Sequence, residues 1–226
     1  MDTRYWNKAT LYRYVDALRK GICDSSNFSP VDSEKLAMRC IKNLTIEKIS
    51  FLNSDICGIL YKGNYTTSIA LNTKRSPEMQ NFDCMHELIH YFFHDIEYCQ
   101  RICSDKTGST IRQDAYIEWQ ANEGAAQFLM PYQDFIPRFL PLIAQSFPCT
   151  SFQTVDDLAQ FYRVTPAVIE VRINQLSYEI DQYRQGRSLE QIQLLSKKKR
   201  EQQGIKVTPY LALLDFALDS FIESVV

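Results

Sequence analysis

A chain of 226 residues holds one domain with appendages or two small ones, and either way it can bury a sizeable core and carry an enzyme site. Hydrophobic residues at 45% and charged residues at 23% exclude a chain disordered throughout. The net charge of −2 argues neither for a phosphate-dominated nucleic-acid surface nor for an anionic membrane as the main partner.

The N-terminus opens with polar residues, Met1-Asp2-Thr3-Arg4, and no stretch approaches the roughly 18 unbroken apolar residues of a membrane span. A cytoplasmic protein with no membrane partner is therefore expected. Seven cysteines, an odd number scattered through apolar segments, suit reduced thiols.

Tyr12, Val15 and Leu18 predict a helix over 5–19, with Gly21 as its stop. Turn residues around Asn27 to Glu34 lead into a short helix that ends near Asn43. The period then shortens to two. Three six-residue runs, Ile46 to Phe51, Ile56 to Tyr61 and Thr67 to Asn72, predict strands separated by turn compositions, hence a small antiparallel sheet. Ser76-Pro77-Glu78 is a helix start, with an N-cap, a proline at the first helical position and an acid in the first turn. That helix is expected over 77–96. A polar loop and a second helix over 112–130 follow, closed by Pro131.

Pro137, Pro141 and Pro148 suggest a connector. Thr154 to Tyr162 and Thr165 to Leu176 then form a helix-turn-helix-like pair, with Asp156, Asp157 and Glu170 set against Arg163 and Arg172. This charge balance makes direct DNA binding a poor expectation. Lys197 to Arg200 reads as a solvated face, and Tyr210 to Leu218 as a terminal amphipathic helix. No internal repeat is visible.

The chain's only three histidines lie in the helix over 77–96, in His86-Glu87-Leu88-Ile89-His90 and its continuation to His94. At about 100° per residue, His86, His90, His94 and Glu87 share one side, and Met85, Leu88, Ile89 and Phe92 share the other. Two imidazoles four residues apart converge on one point, and a neighbouring carboxylate can activate water there, as in zinc peptidases. Across the eight residues from His86 to His94 a helix rises about 12 Å, too far for one ion with bonds of about 2.1 Å. His94 is then a helix-end or pocket-rim residue, or less readily a support for the reaction.

A third ligand must come from elsewhere. Glu118 in the second helix supplies a carboxylate, and Asn122, one turn on, could accept from a ligand imidazole. Glu123 points about 140° away, and Asp114 is a weaker alternative. Cys84, Cys99 and Cys103 could form a thiolate site, but their spacing suits buried or loop thiols better.

These residues carry a family likeness. The His86 to His90 motif followed by Glu118-Trp119-Gln120-Ala121-Asn122-Glu123-Gly124-Ala125-Ala126-Gln127-Phe128-Leu129-Met130-Pro131 resembles the ImmA/IrrE metallopeptidases, which are gluzincin-like, and the likeness extends over about 28–180. The departures are Ile89 where glycine is usual, Gly124 where phenylalanine is usual, and Gln120 where a second glutamate is common. The resemblance implies an α+β, zincin-like fold with two active-site helices and a C-terminal helical region. It implies His86, His90 and Glu118 as zinc ligands and Glu87 as general base, with His94 and Tyr116 as candidate oxyanion or substrate contacts.

The expected division is a metallopeptidase domain over 1–145 and a helical region over 146–226, which holds the helix-turn-helix-like segment at 154–180. The resemblance further implies an anti-repressor endopeptidase whose substrate is a helix-turn-helix repressor. A silent binding module on the same scaffold is the competing class, and a broader intracellular peptidase is an alternative among enzymes. Oligomeric state is not legible.

Overall fold

In the computed structural model, residues 6–23, 28–53, 55–94, 100–104, 115–143 and 155–212 are described. The chain gathers into two compact units, Met1–Trp6 with Leu11–Leu129, and Asn7–Thr10 with Met130–Val226. The sequence-based division at residue 145 lies outside the described residues.

The first unit is mixed α+β, the expected class. Helix α1 (Lys8–Ile22) buries Leu11, Tyr12 and Val15 completely, the face its spacing predicts. Helix α2 (Ser33–Cys40) starts at Asp32, whose side chain accepts from the Lys35 backbone N–H. Asn43 then turns the chain with φ 56° into β1 (Leu44–Ile49). Strands β2 (Ile56–Lys62) and β3 (Thr67–Asn72) form an antiparallel hairpin closed by the Gly63 N–H donating to the Thr66 carbonyl.

The sheet corrects the expectation in two ways. It is mixed rather than antiparallel, because β1 pairs in parallel with β3. A fourth strand, β4 (Gln100–Ser104), pairs antiparallel with β2, so the order is β1-β3-β2-β4. The β2–β3 hairpin takes the centre, which leaves β1 and β4 as the edges. Burial follows this arrangement, since Leu60, Ile69 and Leu71 are fully covered and β1 is largely exposed. The β4 sequence has no alternating pattern, and its strand conformation comes from the partner it pairs with.

Helix α3 (Pro77–Phe93) begins as predicted, with the Ser76 side chain accepting from the Met79 N–H and Pro77 at its first position. It packs against α2, β2, β3 and α4 (Ala115–Leu129). Cys84, Met85, Leu88 and Ile89 of α3 and Ala121, Ala125 and Phe128 of α4 are buried, so hydrophobic burial holds the two helices together.

The second unit is helical. Residues expected to form a proline-marked connector instead form α5 (Tyr132–Ile143), with Pro137 and Pro141 inside it. Phe135, Ile136 and Phe139 are fully buried there, which outweighs the helical hydrogen bonds that the two prolines cannot donate. The expected helix pair is present as α6 (Val155–Tyr162) and α7 (Pro166–Arg184), with Arg163 at φ 57° in the turn. Tyr162 donates to Asp134 at 2.8 Å, and the Arg138 guanidinium lies 4.4 Å from the Phe161 ring centroid.

Arg172 is fully buried and donates to the Met130 carbonyl, and Lys8 pairs with the buried Glu179 at 2.8 Å. A 3₁₀ turn (Leu189–Gln191) precedes α8 (Lys197–Gln202). Here the solvated-face expectation needs correction at one residue, because Arg200 is buried and donates to the Ser177 hydroxyl. Most of the expected terminal helix lies outside the described residues. Among the described residues no helix is long and apolar enough to cross a membrane.

Candidate metal centre

Helix α3 carries His86, Glu87 and His90 in its last two turns, all buried. Helix α4 brings Glu118 to them from its first turn. The Glu118 carboxylate lies 3.3 Å from His86 Nε2 and 3.5 Å from His90 Nε2, and the two Nε2 atoms are 2.9 Å apart. Four bonds of about 2.1 Å at tetrahedral angles would set ligand atoms roughly 3.4 Å apart. The three side chains therefore converge as the ligands of one small ion would. Among the described residues they form a group of potential metal ligands whose donor atoms all lie within 4.8 Å of one another. Glu118 keeps 15% of its side chain exposed, so the group opens to solvent on that side.

The electrostatics suit a cation. Burial opposes charge on both imidazoles. At His86 the Glu118 hydrogen bond and the nearby Glu87 and Glu118 carboxylates reverse this and raise the pKa. At His90 burial prevails, reinforced by the neighbouring His86 and His94 rings, and pushes the pKa down to about 3. Burial would raise the Glu118 pKa, but the two imidazoles hold it well below the usual carboxylate range. The two Nε2 atoms, 2.9 Å apart, cannot both carry a proton. A neutral imidazole, an imidazole that holds its proton only through a carboxylate, and an ionised carboxylate make a donor set for a divalent cation.

The other expected residues are placed individually. Asn122 Oδ1 lies 3.0 Å from His86 Nδ1, where it accepts that ring's N–H and turns Nε2 toward Glu118 and His90. Glu123 is turned away and accepts from the Tyr12 hydroxyl. Asp114 lies outside the described residues. The Tyr116 hydroxyl donates to the Trp6 carbonyl at 2.7 Å. Cys84 is buried, and burial together with Glu34 and Glu87 raises its pKa, so it stays a thiol rather than a thiolate ligand. Cys99 lies outside the described residues.

His94 is a helix-end residue as expected: it is the C-cap of α3, and its backbone N–H donates to the His90 carbonyl at 3.0 Å. Its ring contact and a glycine of β2 were not anticipated. Its ring is buried, with Nδ1 2.8 Å from His90 Nδ1. The signal was present in the sequence, since side chains four residues apart on a helix are neighbours, and His94 stands to His90 as His90 stands to His86. The second concerns Gly58 of β2, where a Cβ would lie 3.0 Å from Glu87 Oε1 and 3.4 Å from Glu87 Cγ. Strand β2 leaves space for the Glu87 carboxylate by having no side chain there.

A family model described as the IrrE N-terminal-like domain matches residues 40–174, more than half of the chain, and the family is one of peptidases. No curated protein gives a significant match. Among solved structures, a Mycobacterium tuberculosis transcriptional regulator is similar at a TM-score of 0.49 and 14% sequence identity, covering 77% of this chain and 48% of its own. The chain thus spans about half the length of that relative.

Proposed function

On the premise that the chain belongs to the IrrE N-terminal-like domain family, we propose that it is a zinc-dependent endopeptidase that cuts a specific protein in the cytoplasm. The observation that carries this reading is the convergence of His86, His90 and Glu118 beside a buried glutamate on the same helix, Glu87. A zinc ion held by the three ligands would polarise the scissile carbonyl and make the attacking water more acidic.

The chain's own groups do the rest. Glu87 accepts the proton of the attacking water and delivers it to the leaving amine. Asn122 holds the His86 ring through Nδ1, and the exposed side of Glu118 leaves room for a substrate carbonyl. Tyr116 and His94 remain the proposed contacts for the oxyanion or the substrate. A silent binding module would need the ligands at most, and would have no chemical use for Glu87 beside them.

For the substrate, the family likeness of His86 to His90 and Glu118 to Pro131 supports a helix-turn-helix transcriptional repressor, cleaved to release the genes it holds. Burial of Arg172 takes that arginine of the helix pair away from a DNA phosphate, which supports a packing or docking role for the pair. Metal analysis of the purified chain should give about one zinc per chain for the wild type and for Glu87→Gln, and none for Glu118→Ala. Co-expression with a repressor encoded beside the gene should yield a cut that chelator abolishes and that Glu87→Gln lacks, and a fully active Glu87→Gln would refute the mechanism.

A further inference from the structure

We propose that His94 is a positioning residue for the metal centre. It accepts the proton of His90 Nδ1 and thereby holds His90 in the tautomer and ring orientation that present Nε2 to the ion. This inference rests on the metal-centre reading above and extends it to a residue outside the ligand set.

A ring that binds through Nε2 must carry its proton on Nδ1, and the group that accepts that proton decides both tautomer and ring angle. His86 meets this need across the helix pair, with Asn122 Oδ1 at 3.0 Å from Nδ1. At His90 the group in that place is His94 Nδ1, at 2.8 Å. The ring centroids of His90 and His94 are 4.8 Å apart with planes at 58°, so the rings meet through their edges and not by stacking.

The end of α3 creates this arrangement. His94 leaves the helix with φ −109° and ψ 133°, an extended conformation, while its backbone N–H stays bonded to the His90 carbonyl. Backbone and ring both tie it to the ligand one turn before it. It is 4% exposed, which leaves the ring little freedom to turn toward solvent.

The chemistry of the acceptor has a further consequence. Ligand histidines commonly donate to a carboxylate or a carbonyl, and a carboxylate makes the ligand more basic. A neutral imidazole accepts the same hydrogen bond without adding a negative charge. His90 is thereby oriented, while the centre gains no charge beyond those of Glu118 and Glu87, which preserves the ion's pull on a substrate carbonyl.

The test compares two variants of the full chain by competition for zinc with a chelator, with folding checked by far-UV circular dichroism. His94→Leu keeps bulk but removes the acceptor, and should bind zinc about 10- to 100-fold more weakly. His94→Asn places an amide oxygen near the position of Nδ1, as Asn122 does for His86, and should restore affinity to within a few-fold of wild type. Equal affinity for His94→Leu and wild type overturns the inference while leaving the metal centre intact, and so does His94→Asn binding as weakly as His94→Leu. A wild type that takes up no zinc overturns both.

A measurement on the unaltered, zinc-loaded protein does not depend on either variant folding. Nitrogen-15 spectra of its histidines should show His90 protonated on Nδ1 and His94 unprotonated on Nδ1, and the reverse assignment overturns the inference.

Discussion

Ile89 and Gly124 face each other across the contact between α3 and α4: a Cβ built on Gly124 would stand 3.0 Å from Ile89 Cγ2 and 3.4 Å from Cγ1. These are two of the three positions at which the chain departs from the pattern of the family it resembles, and the structure sets them in contact. The Ile89 side chain occupies the space that a side chain at position 124 would need. The pair lies in the contact between the two helices that carry His86, His90 and Glu118.

A sign reversal tests the pair. Ile89 is fully buried and stiff at χ1, so Gly124→Ala in the wild type should cost about 1–3 kcal/mol of overpacking, set against about 1 kcal/mol of gained helix propensity. The net effect should be a destabilised protein. In an Ile89→Ala background the clash is gone, and the same substitution should stabilise by up to about 1 kcal/mol. Urea unfolding of the four proteins measures this, and an unchanged effect of Gly124→Ala in both backgrounds would show the residues to be uncoupled.

Gly58 gives a prediction about the reaction itself. Gly58→Ala should displace the Glu87 carboxylate by a few tenths of an ångström and leave His86, His90 and Glu118 in place. Peptidase activity should fall by up to about tenfold, since misplacement of roughly 1 Å costs about a hundredfold, and zinc content should not change. Loss of zinc in this variant would mean that β2 supports the ligands and not the base.

Proton release should accompany metal uptake. The raised His86 pKa means that at the ordinary histidine value of about 6.5 the free chain still carries a proton on that ring. His90, pushed down to about 3, and Glu118, held well below the carboxylate range, are already deprotonated there. Zinc must displace the His86 proton, so affinity should fall as pH drops through the raised His86 pKa. Calorimetric zinc titrations at pH 6.5, run in two buffers of different ionisation enthalpy, should show net proton release on zinc binding. Release of none would mean that His86 is neutral in the free chain.

What the sequence determined by itself is what short-range geometry controls. The cap at Ser76, the shared face of His86, Glu87 and His90, and the shared face of Glu118 and Asn122 all follow from residues within two turns of one another. Helical pitch and capping are the same in any fold, so spacing alone carries them. The adjacency of His94 to His90 belonged to the same class and was legible by the same rule.

Only the tertiary structure decided the relationships between elements distant in the chain. The parallel place of β1, the recruitment of β4, the helicity of α5 despite Pro137 and Pro141, the burial of Arg200, the space left by Gly58 and the fit of Ile89 against Gly124 depend on which surfaces meet. Their stabilisation comes from non-local burial and pairing, which outweigh local preference. The helix with three histidines was therefore readable from its own residues, whereas the seat of Glu87 against β2 and the packing that brings Glu118 to His86 and His90 required the folded chain.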